Sequence, residues 1–234
     1  MTIGKNILKF DILDSTNNYL KERIDNLIDG TICYALEQTN GRGRRENTWK
    51  SPKGNLYFSF FKNQQISREE VFFETIKTSV SIIKLLDNYQ INASVKYPND
   101  ILVNSKKIAG ILIETTGVKL IDSLVIGVGL NVNQSDFKDL NKKAISIALL
   151  KNQNFKTEEL LKEFIKIYNS LNELDYIYKE YLNRSLIIGK EIRYENQKYQ
   201  IAGIFLNGDI LIKNEKTQSR ILANNFDFQY LYND

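Results

Sequence analysis

The segment from Ser94 to Val132 constrains the fold more than any other part of this 234-residue chain. Short runs rich in β-branched and apolar residues alternate there with turn-forming pairs, which are Pro98-Asn99, Asn104-Ser105 and Thr116-Gly117. Strands joined by such short turns pair with their neighbours in antiparallel fashion. We therefore expect an antiparallel meander in this part of the chain.

Predicted strands precede the meander, and predicted helices lie on both sides of it. The strands are Ile7 to Leu13, in which apolar and polar residues alternate, and the strand-like segments Thr31 to Gln38 and Leu56 to Phe61. Helical spacing of apolar residues occurs in four segments, which are Ser15 to Leu27, Ser67 to Leu86, Lys142 to Leu150 and Thr157 to Tyr181. Ser15 is a predicted N-cap, and Ser67 forms a predicted capping box with Glu70. This order predicts an α+β fold, in which helices pack on a mixed, largely antiparallel sheet.

No helical spacing remains after Arg184. Five short alternating runs follow, which are Lys190 to Tyr194, Tyr199 to Phe205, Ile210 to Lys213, Ser219 to Leu222 and Phe226 to Leu231. Asn207-Gly208-Asp209 predicts a hairpin turn between two of them. We therefore expect a first domain over residues 1–184 and a small β-barrel over residues 185–234. No Gly/Ser-rich or Pro-rich linker separates the two, so we expect them to pack together.

The composition excludes several classes of chemistry. The chain has no histidine, which rules out Ser-His-Asp and Cys-His nucleophiles as well as imidazole acid–base catalysis. Its one cysteine, Cys33, provides neither an intramolecular disulfide nor a zinc cage. Any catalysis therefore depends on Lys, Arg, Asp, Glu, Asn or backbone groups.

Charge and hydropathy limit the partners and the location. The net charge of +4 is mild for this length and favours an anionic ligand over a nucleic-acid coat. No apolar run approaches the roughly 18 to 20 residues that a membrane-spanning helix needs. The first residues lack the apolar core of a signal peptide. We therefore expect a cytoplasmic protein without membrane contact.

The long segment between two predicted strands carries the first candidate site. It contains Gly41-Arg42-Gly43-Arg44-Arg45, then Trp49 and Ser51-Pro52-Lys53-Gly54-Asn55. Glycines expose backbone N–H groups to an anion, and guanidinium groups bind phosphate or carboxylate oxygens in pairs. A polyphosphate or an acyl phosphate suits this loop, and Trp49 offers a face for a purine. Two alternatives remain, a basic surface loop without a ligand and a Trp49 that anchors the loop to the core.

A second candidate site lies in Lys96-Tyr97-Pro98-Asn99-Asp100 and Lys106-Lys107-Ile108-Ala109-Gly110, which continues to Glu114. The Asn104-Ser105 turn brings Lys96, Asp100 and Lys107 toward one region, where they suit charge neutralisation on a phosphate. Gly110 leaves room for a ligand to approach the strand. Surface lysines on a hairpin are the alternative, and we assign Lys106 to it.

The third motif is Ile126-Gly127-Val128-Gly129-Leu130-Asn131. Its glycines lack the strand-then-helix context of a dinucleotide fingerprint, so a Rossmann interpretation is rejected. Glycines on a strand beside a ligand remain compatible with the pattern.

In chain order these motifs resemble the biotin protein ligases. The resemblance rests on Asp14-Ser15-Thr16-Asn17, Gln38 with the Gly41-to-Asn55 loop, Lys96 to Asp100, Lys107 to Glu114, and Gly127 to Asn131. It covers essentially the whole chain and implies a fold like that of class II synthetases and biotin–lipoate ligases, followed by an SH3-like barrel. The family's helix-turn-helix domain has no counterpart, which implies a monofunctional form without specific DNA binding.

The resemblance implies a two-step, ATP-dependent reaction. Biotin is activated to biotinyl-5′-AMP with release of pyrophosphate, and biotin then passes to a lysine of a biotin carboxyl carrier domain of acetyl-CoA or pyruvate carboxylase. Biotin and ATP are the substrates and Mg²⁺ accompanies the triphosphate, with no metal ligand among the side chains. The resemblance leaves both a monomer and a homodimer open.

The resemblance also assigns residues. Biotin binding falls to Ser15, Thr16, Asn17, Gln38, Gly41, Arg42, Arg44, Lys107 and Gly110. ATP and adenylate binding falls to Arg42, Arg44, Arg45, Trp49, Lys96, Lys107 and Asn131. Lys107, Arg44, Asp100 and Lys96 carry the catalytic roles, with Asp100 orienting the carrier lysine or taking its proton. The loop is expected to close over the adenylate and shield it from water.

Two departures and two rival functions accompany this assignment. Glu46-Asn47 stand where the family often has Gly-Arg, and Tyr97 replaces a frequent Trp. A lipoate or octanoate ligase of the same superfamily is one rival. The other is a non-catalytic nucleic-acid module, which predicts salt-sensitive RNA or DNA binding and no biotin affinity.

Overall fold

A mixed β-sheet forms the larger part of the molecule. The computed structural model describes residues 2–45, 47–67, 70–116, 121–137, 143–223 and 229–232. The strands of this sheet are β1 (Ile7–Leu13), β2 (Ile32–Gln38), β3 (Leu56–Ile66), β4 (Ser94–Lys96), β5 (Asp100–Val103), β6 (Lys106–Thr116) and β7 (Ile121–Leu130). Their spatial order is β1-β2-β3-β7-β6-β5-β4. The pair β1–β2 is parallel and the other adjacent pairs are antiparallel, so the predicted mixed sheet is confirmed.

The meander predicted from Ser94 to Val132 is present as β4 to β7, each paired with the next. Its β5–β6 turn has φ of 49° at Asn104 and 59° at Ser105. Two successive positive φ values are the requirement of a tight type I′ hairpin, and asparagine tolerates them well. The other predicted turn, at Thr116-Gly117, extends outside the described residues.

Five α-helices are described: α1 (Thr16–Lys21), α2 (Val71–Asn88), α3 (Ile147–Lys151), α4 (Thr157–Ser170) and α5 (Leu174–Arg184). Helix α2 buries Ile76, Val80 and Ile83 at the spacing expected of one apolar face. The rings of Phe58 and Phe164 meet edge to face with centroids 4.8 Å apart, which joins α4 to β3.

Three helix predictions need correction. Helix α1 ends at Lys21, and a separate 3-10 turn, Ile24–Asn26, replaces its predicted extension to Leu27. Asp25 and Asn26 favour turns over helix interiors because their side chains compete for backbone groups. Helix α2 begins after Glu70, whose carboxylate accepts from the backbone N–H and hydroxyl of Ser67, so Ser67 is not its N-cap. Helix α3 starts later than predicted, with Ser146 as N-cap, and residues 138–142 lie outside the described part.

The helix predicted from Thr157 to Tyr181 is two helices. The chain leaves the helical conformation at Leu171, with φ −79° and ψ 99°, and helix α5 begins at Leu174. Periodicity did not reveal the break because both helices pack against α2 with apolar faces, which include Phe164 and Tyr181. Ser170 and Asn172, both weak helix formers, lie at the break.

A second, four-stranded antiparallel sheet follows α5. Its strands are β8 (Glu191–Tyr194), β9 (Gln197–Ile204), β10 (Ile210–Lys213) and β11 (Gln218–Ile221), in the order β11-β10-β9-β8. Asn207 to Asp209 forms the predicted hairpin turn, with φ of 90° at Gly208. In the described residues β8 and β11 do not pair, so an SH3-like barrel is not confirmed. The strand predicted at Phe226 to Leu231 is wrong where it is described, because Gln229–Tyr232 forms a 3-10 turn.

The two sheets share buried side chains. One apolar cluster extends from Phe58 and Val95 of the first sheet to Ile192 and Ile201 of the second. Tyr97 also links them, because its hydroxyl donates to Gly208 O at 2.7 Å and its backbone N–H donates to the Tyr232 hydroxyl at 2.9 Å. No helix in the described part of the chain is long and apolar enough to span a membrane.

Candidate active site

A pocket opens on the large sheet between β6, β7, the start of α1 and the loop after β2. Its wall contains the following residues: Ser15, Thr16, Asn17, Gln38, Arg42, Gly43, Arg44, Trp49, Asn99, Lys107, Gly110, Ile111, Leu112, Gly127, Val128 and Gly129. Residues from all three sequence motifs therefore meet in one place. This confirms that the Gly- and Arg-rich loop and the Lys107 hairpin approach each other.

The Gly- and Arg-rich loop is a small hairpin. The backbone N–H of Trp49 donates to Gly41 O at 2.8 Å, and that of Gly43 donates to Asn47 O at 2.7 Å. The chain reverses at Arg45, which has a φ of 52°. Periodicity could not predict this hairpin because its short arms carry no apolar alternation. Glu46, one of the two departures from the family pattern, lies outside the described residues.

Trp49 lies on the two glycine-bearing strands. A Cβ added at Gly129 would be 2.5 Å from Trp49 Cε2, and one at Gly110 would be 2.8 Å from Trp49 Cζ3. Any side chain at these positions would therefore displace the indole. Trp49 Nε1 is buried and has no hydrogen-bond partner among the described residues. In this structure Trp49 anchors the loop to the sheet, which is one of the alternatives that the sequence left open. A buried Nε1–H without a partner costs about 1–3 kcal/mol of stability in this position.

Lys107 of the pocket wall forms an ion pair with Asp100, which is not itself part of that wall. Lys107 Nζ lies 2.7 Å from Asp100 Oδ1 and 4.9 Å from the centroid of the Trp49 ring. Asp100 is paired in register with Lys96 on β4 and with Gly110 on β6. The hairpin thus brings the side chains of Asp100 and Lys107 together, two of the three residues that the sequence placed in this region.

Lys96 faces the C-terminal segment. Its Nζ lies 4.8 Å from the centroid of the Tyr232 ring, and Lys96 is not part of the pocket wall. The ring quadrupole attracts the ammonium group. In this conformation the pocket's cationic groups are Lys107, Arg42 and Arg44.

The arginines of the loop have different partners. Arg44 Nη1 donates to Asn99 Oδ1 at 3.1 Å, across the pocket. Arg42 Nη1 donates to Asn18 Oδ1 at 2.9 Å. Arg45 lies in the outer face of the loop and not in the pocket wall. Arg44 therefore spans the pocket and is placed to cover a bound ligand.

Asn131 is placed differently from the expectation. Its side-chain Nδ2 donates to the backbone carbonyls of Ile145 at 3.1 Å and Lys107 at 3.3 Å. It is buried and is not in the pocket wall. In this structure Asn131 holds the Lys107 strand against the segment before α3. A direct contact with a nucleotide stays a prediction.

The inner end of the pocket is polar. The backbone N–H of Thr16 donates to Gln38 Oε1 at 2.9 Å, and Gln38 Nε2 donates to Ser51 Oγ at 2.9 Å. Ser51 Oγ in turn donates to Trp49 O at 2.9 Å. These bonds fix the Gln38 amide with its oxygen toward Thr16. The fixed amide and hydroxyl groups suit a ligand with its own N–H and C=O groups.

Glu114 lies beside this polar end, at 13% side-chain exposure. It accepts hydrogen bonds from Lys21 Nζ at 2.7 Å and Asn17 Nδ2 at 2.9 Å, and Arg42 Nη1 lies 3.1 Å away. Burial raises the pKa of this carboxyl, but the bonds from Lys21 and Asn17 outweigh burial and hold its pKa below its ordinary value. Glu114 is therefore a carboxylate at neutral pH.

Sequence reasoning assigned no role to Ser59, Asn99 or Glu114. Ser59 Oγ lies 2.7 Å from Thr16 Oγ1, in the second layer of the pocket. A polar residue inside the apolar run Leu56 to Phe61 was the available signal for it. Asn99 and Glu114 lie within motifs that were singled out, but their partners come from distant segments.

The described residues contain no group of three or more cysteine, aspartate and glutamate side chains that could hold a metal ion. The acidic groups near the pocket are instead paired with cations, as in Asp100–Lys107 and Glu114–Lys21. A metal ion that enters together with a polyphosphate ligand needs no such cage.

Comparisons with known proteins agree with this geometry. Residues 9–131, more than half of the chain, match the model of the biotin/lipoate A/B protein ligase family. The "Bifunctional ligase/repressor BirA" of Bacillus subtilis is 34% identical over 143 residues, which are 58% of this chain and 44% of that protein. The chain thus spans less than half the length of that curated relative. The chloroplastic "Biotin--protein ligase 1" of Arabidopsis thaliana is 26% identical over 240 residues, 92% of this chain and 65% of that protein.

A solved structure is similar along nearly the whole chain. The biotin protein ligase from Aquifex aeolicus, in complex with biotin and ATP, superposes with a TM-score of 0.80 at 27% identity and covers 96% of this chain and 98% of that one. The likeness therefore includes the C-terminal sheet as well as the large one. On the family match, the pocket and this fold, the chain belongs to the biotin/lipoate A/B protein ligase family.

Proposed function

We propose that this chain is an ATP-dependent biotin protein ligase. The observation that carries the proposal is a single pocket with a polar end at Thr16 and Gln38 and a cationic end at Lys107 and Arg44. Biotin has the matching chemistry, with a ureido ring at one end and a carboxylate at the other. The similarity to proteins named biotin–protein ligases supports the same substrate.

The first step activates biotin. A carboxylate oxygen of biotin attacks the α-phosphorus of ATP, and the bond from that phosphorus to the pyrophosphate breaks. Lys107 and Arg44 lower the barrier by stabilising the charge that develops on the phosphate oxygens. Mg²⁺ enters on the triphosphate as part of the substrate. Because the pocket holds the two reactants in place, no enzyme nucleophile is required.

The second step transfers biotin to a carrier lysine. The neutral amine attacks the acyl carbon of biotinyl-5′-AMP, an amide forms and AMP leaves. A base must take a proton from the attacking nitrogen, and Asp100 is the carboxylate near Lys107. When Lys107 moves to the phosphate, Asp100 loses its partner and becomes available to take the proton that the attacking amine releases.

We propose a biotin carboxyl carrier domain of acetyl-CoA or pyruvate carboxylase as the partner. The reaction requires a carrier with an accessible lysine on a protruding turn, since the pocket lies beneath the loop that carries Trp49 and Arg44. We also keep an SH3-like closure of the C-terminal sheet, and a division at residue 185, as proposals.

Pyrophosphate exchange into ATP tests the activation step. Purified protein with Mg²⁺ is compared with biotin, lipoate, octanoate and no acid. Exchange with biotin alone supports the proposal, and exchange with lipoate or octanoate alone moves the protein to the sister ligases of the family. Lys107→Ala is expected to lower exchange by at least about 100-fold because it removes a charge aimed at the phosphate.

Lys106→Ala is the matched control for that variant. Lys106 is the adjacent residue on the same strand and is exposed. It should keep exchange within about twofold of the wild type, since exposed substitutions of this kind have small effects. Equal loss in both variants would contradict the role of Lys107.

The nucleic-acid module is tested in the same preparation. It requires binding to RNA or DNA that weakens steeply with salt, together with no biotin-dependent exchange. The mild net charge of +4 speaks against it.

A further inference from the structure

Glu114 ends a chain of hydrogen bonds that reaches the ligand-binding wall. Asn17 Nδ2 donates to Glu114 Oε2 at 2.9 Å, and Ser59 Oγ donates to Asn17 Oδ1 at 2.5 Å. Ser59 Oγ lies 2.7 Å from Thr16 Oγ1. Thr16 is part of the pocket wall, whereas Ser59 is fully buried behind it.

The carboxylate sets the direction of every bond in this chain. A carboxylate only accepts, so it turns the amide of Asn17 with its NH₂ group outward and its oxygen toward Ser59. That oxygen also only accepts, so the Ser59 proton is used on Asn17. The Thr16 hydroxyl then has two acceptors within the protein, Ser59 Oγ at 2.7 Å and Gln38 Oε1 at 3.2 Å. Because the Ser59 proton is used on Asn17, Ser59 can only accept at the shorter of these two contacts.

The consequence reaches the ligand. With its proton committed to Ser59 or Gln38 inside the protein, the hydroxyl of Thr16 offers the pocket lone pairs only. We propose that Glu114 is a positioning residue that holds Thr16 as a hydrogen-bond acceptor and thereby selects an N–H group of the ligand. This inference rests on the proposed function, because in biotin that group is a ureido N–H.

Two further contacts support the assignment. Gly127 leaves the space for Asn17, since a Cβ there would be 2.1 Å from Asn17 Oδ1. Arg42 of the loop forms an ion pair with the same carboxylate, with Nη1 3.1 Å from Glu114 Oε1. Glu114 thus joins the loop above the pocket to the buried chain behind it.

The test uses a ligand that lacks the selected donor. In a cyclic carbamate analogue of biotin one ureido N–H is replaced by a ring oxygen, with little change in shape. Both carbamate isomers are compared with biotin by calorimetric binding to the intact protein without ATP. The wild type is expected to bind the isomer that places oxygen against Thr16 roughly 100-fold more weakly than biotin, because two acceptors then face each other.

Glu114→Gln removes the constraint and keeps the shape. A glutamine can offer its NH₂ group to Asn17, so the chain can reverse and Ser59 can donate to Thr16. The Thr16 proton, which no longer goes to Ser59, is then shared between Gln38 Oε1 and the ring oxygen of the ligand. We expect biotin to bind about tenfold more weakly and the preference for biotin over the carbamate to fall to about tenfold. Ser59→Ala removes the nearer of the two acceptors of the Thr16 proton and keeps Gln38, so it should reduce the preference less than Glu114→Gln does.

Glu158→Gln is the matched control. Glu158 is an exposed glutamate whose ion pair with Lys9 lies outside the pocket, and its variant should keep the full preference. If Glu114→Gln weakens biotin and carbamate by the same factor, Glu114 has only a structural role and the inference is overturned. If the wild type binds no biotin at all, the proposed function itself fails, which is a different result.

Discussion

Lys107 of the pocket wall and Asp100 beside that wall form an ion pair, with Nζ and Oδ1 2.7 Å apart. Both groups have roles in the proposed reaction, but at different steps. Lys107 is needed at the phosphate during activation, and Asp100 is needed at the amine during transfer. The ion pair therefore keeps a base inactive until a phosphate takes its partner away.

Asp100→Asn separates the two steps. Adenylate formation should stay within about threefold of the wild type, whereas biotin transfer to the carrier should fall by about 10²–10⁴, the usual contribution of a general base. Pyrophosphate exchange and incorporation of biotin into a purified carrier domain measure the two. If both activities fall equally, Asp100 acts in activation and its proposed role in transfer is wrong.

Trp49 is the only tryptophan in the sequence, so intrinsic emission at its wavelength reports on the loop alone. Its Nε1, which is buried and has no partner in the part of the chain that the structure describes, should gain a partner or reach water when ligands enter the pocket. We expect a saturable change in emission on titration with biotin and ATP. Titration with AMP and pyrophosphate alone serves as a comparison, and an unchanged spectrum at saturating biotin and ATP would show that the indole keeps its place.

Gly129→Ala should displace the same indole, because the new Cβ would be 2.5 Å from Trp49 Cε2. Crowding of this size costs about 1–3 kcal/mol, so we expect the KM for ATP to rise roughly tenfold or more. Gly203→Ala is the control, since a Cβ there meets Leu211 at an ordinary 3.6 Å. Equal kinetics in the two variants would argue against a role of Trp49 in nucleotide binding.

Arg44→Gly should make the proposed enzyme release its intermediate. Arg44 spans the pocket to Asn99 and carries the charge expected to hold the adenylate. Without it, biotinyl-5′-AMP should escape and acylate lysines of bystander proteins. Labelling of added serum albumin, read with streptavidin, measures the escape, with Arg193→Gly on β8 as the comparison. Unchanged labelling would remove Arg44 from the residues that retain the intermediate.

Cys33 should not react with thiol reagents in the folded protein. Burial raises its pKa to about 12, so the reactive thiolate is scarce at pH 8. In the unfolded chain the thiol of Cys33 has a pKa near 8.5. Above that pH unfolding releases its proton, so the contribution of Cys33 to the free energy of unfolding falls as the pH rises from about 8.5 toward 12. Ellman's reagent should detect one thiol in the denatured protein and none in the folded protein. In Cys33→Ala the urea midpoint of unfolding should depend less on pH between pH 8 and pH 10 than it does in the wild type.

The sequence predicted most clearly what depends on local chemistry. Asn104-Ser105 and Asn207-Gly208-Asp209 marked their turns because few residues accept positive φ, and Ser15 marked the start of α1 because its hydroxyl caps the helix. The sequence did not predict the break after Ser170. Apolar periodicity shows which face of a helix is buried, but it does not show whether the helix is continuous. The resemblance gathered Thr16, Gln38, Arg44 and Lys107 into one site, but it could not indicate their partners.

Those partners depend on long-range packing. Glu114 reaches Asn17 across 97 positions of the chain, and Arg44 reaches Asn99 across 55. No local pattern encodes such a contact, because the sheet order β3-β7-β6 that creates it is a property of the whole chain. Asn131 is another example. Its place in the third motif indicated a ligand contact, whereas in the structure its side-chain amide donates to the backbone carbonyl of Lys107.

The apolar cluster shared by the two sheets makes them one cooperative unit in thermodynamic terms. Ile201 of the second sheet and Val95 of the first are both buried members of this cluster. We therefore expect a core mutation in the C-terminal sheet to lower the stability of the sheet that carries the pocket as well. Conversely, a ligand that binds only the folded protein beneath Trp49 should stabilise both sheets together.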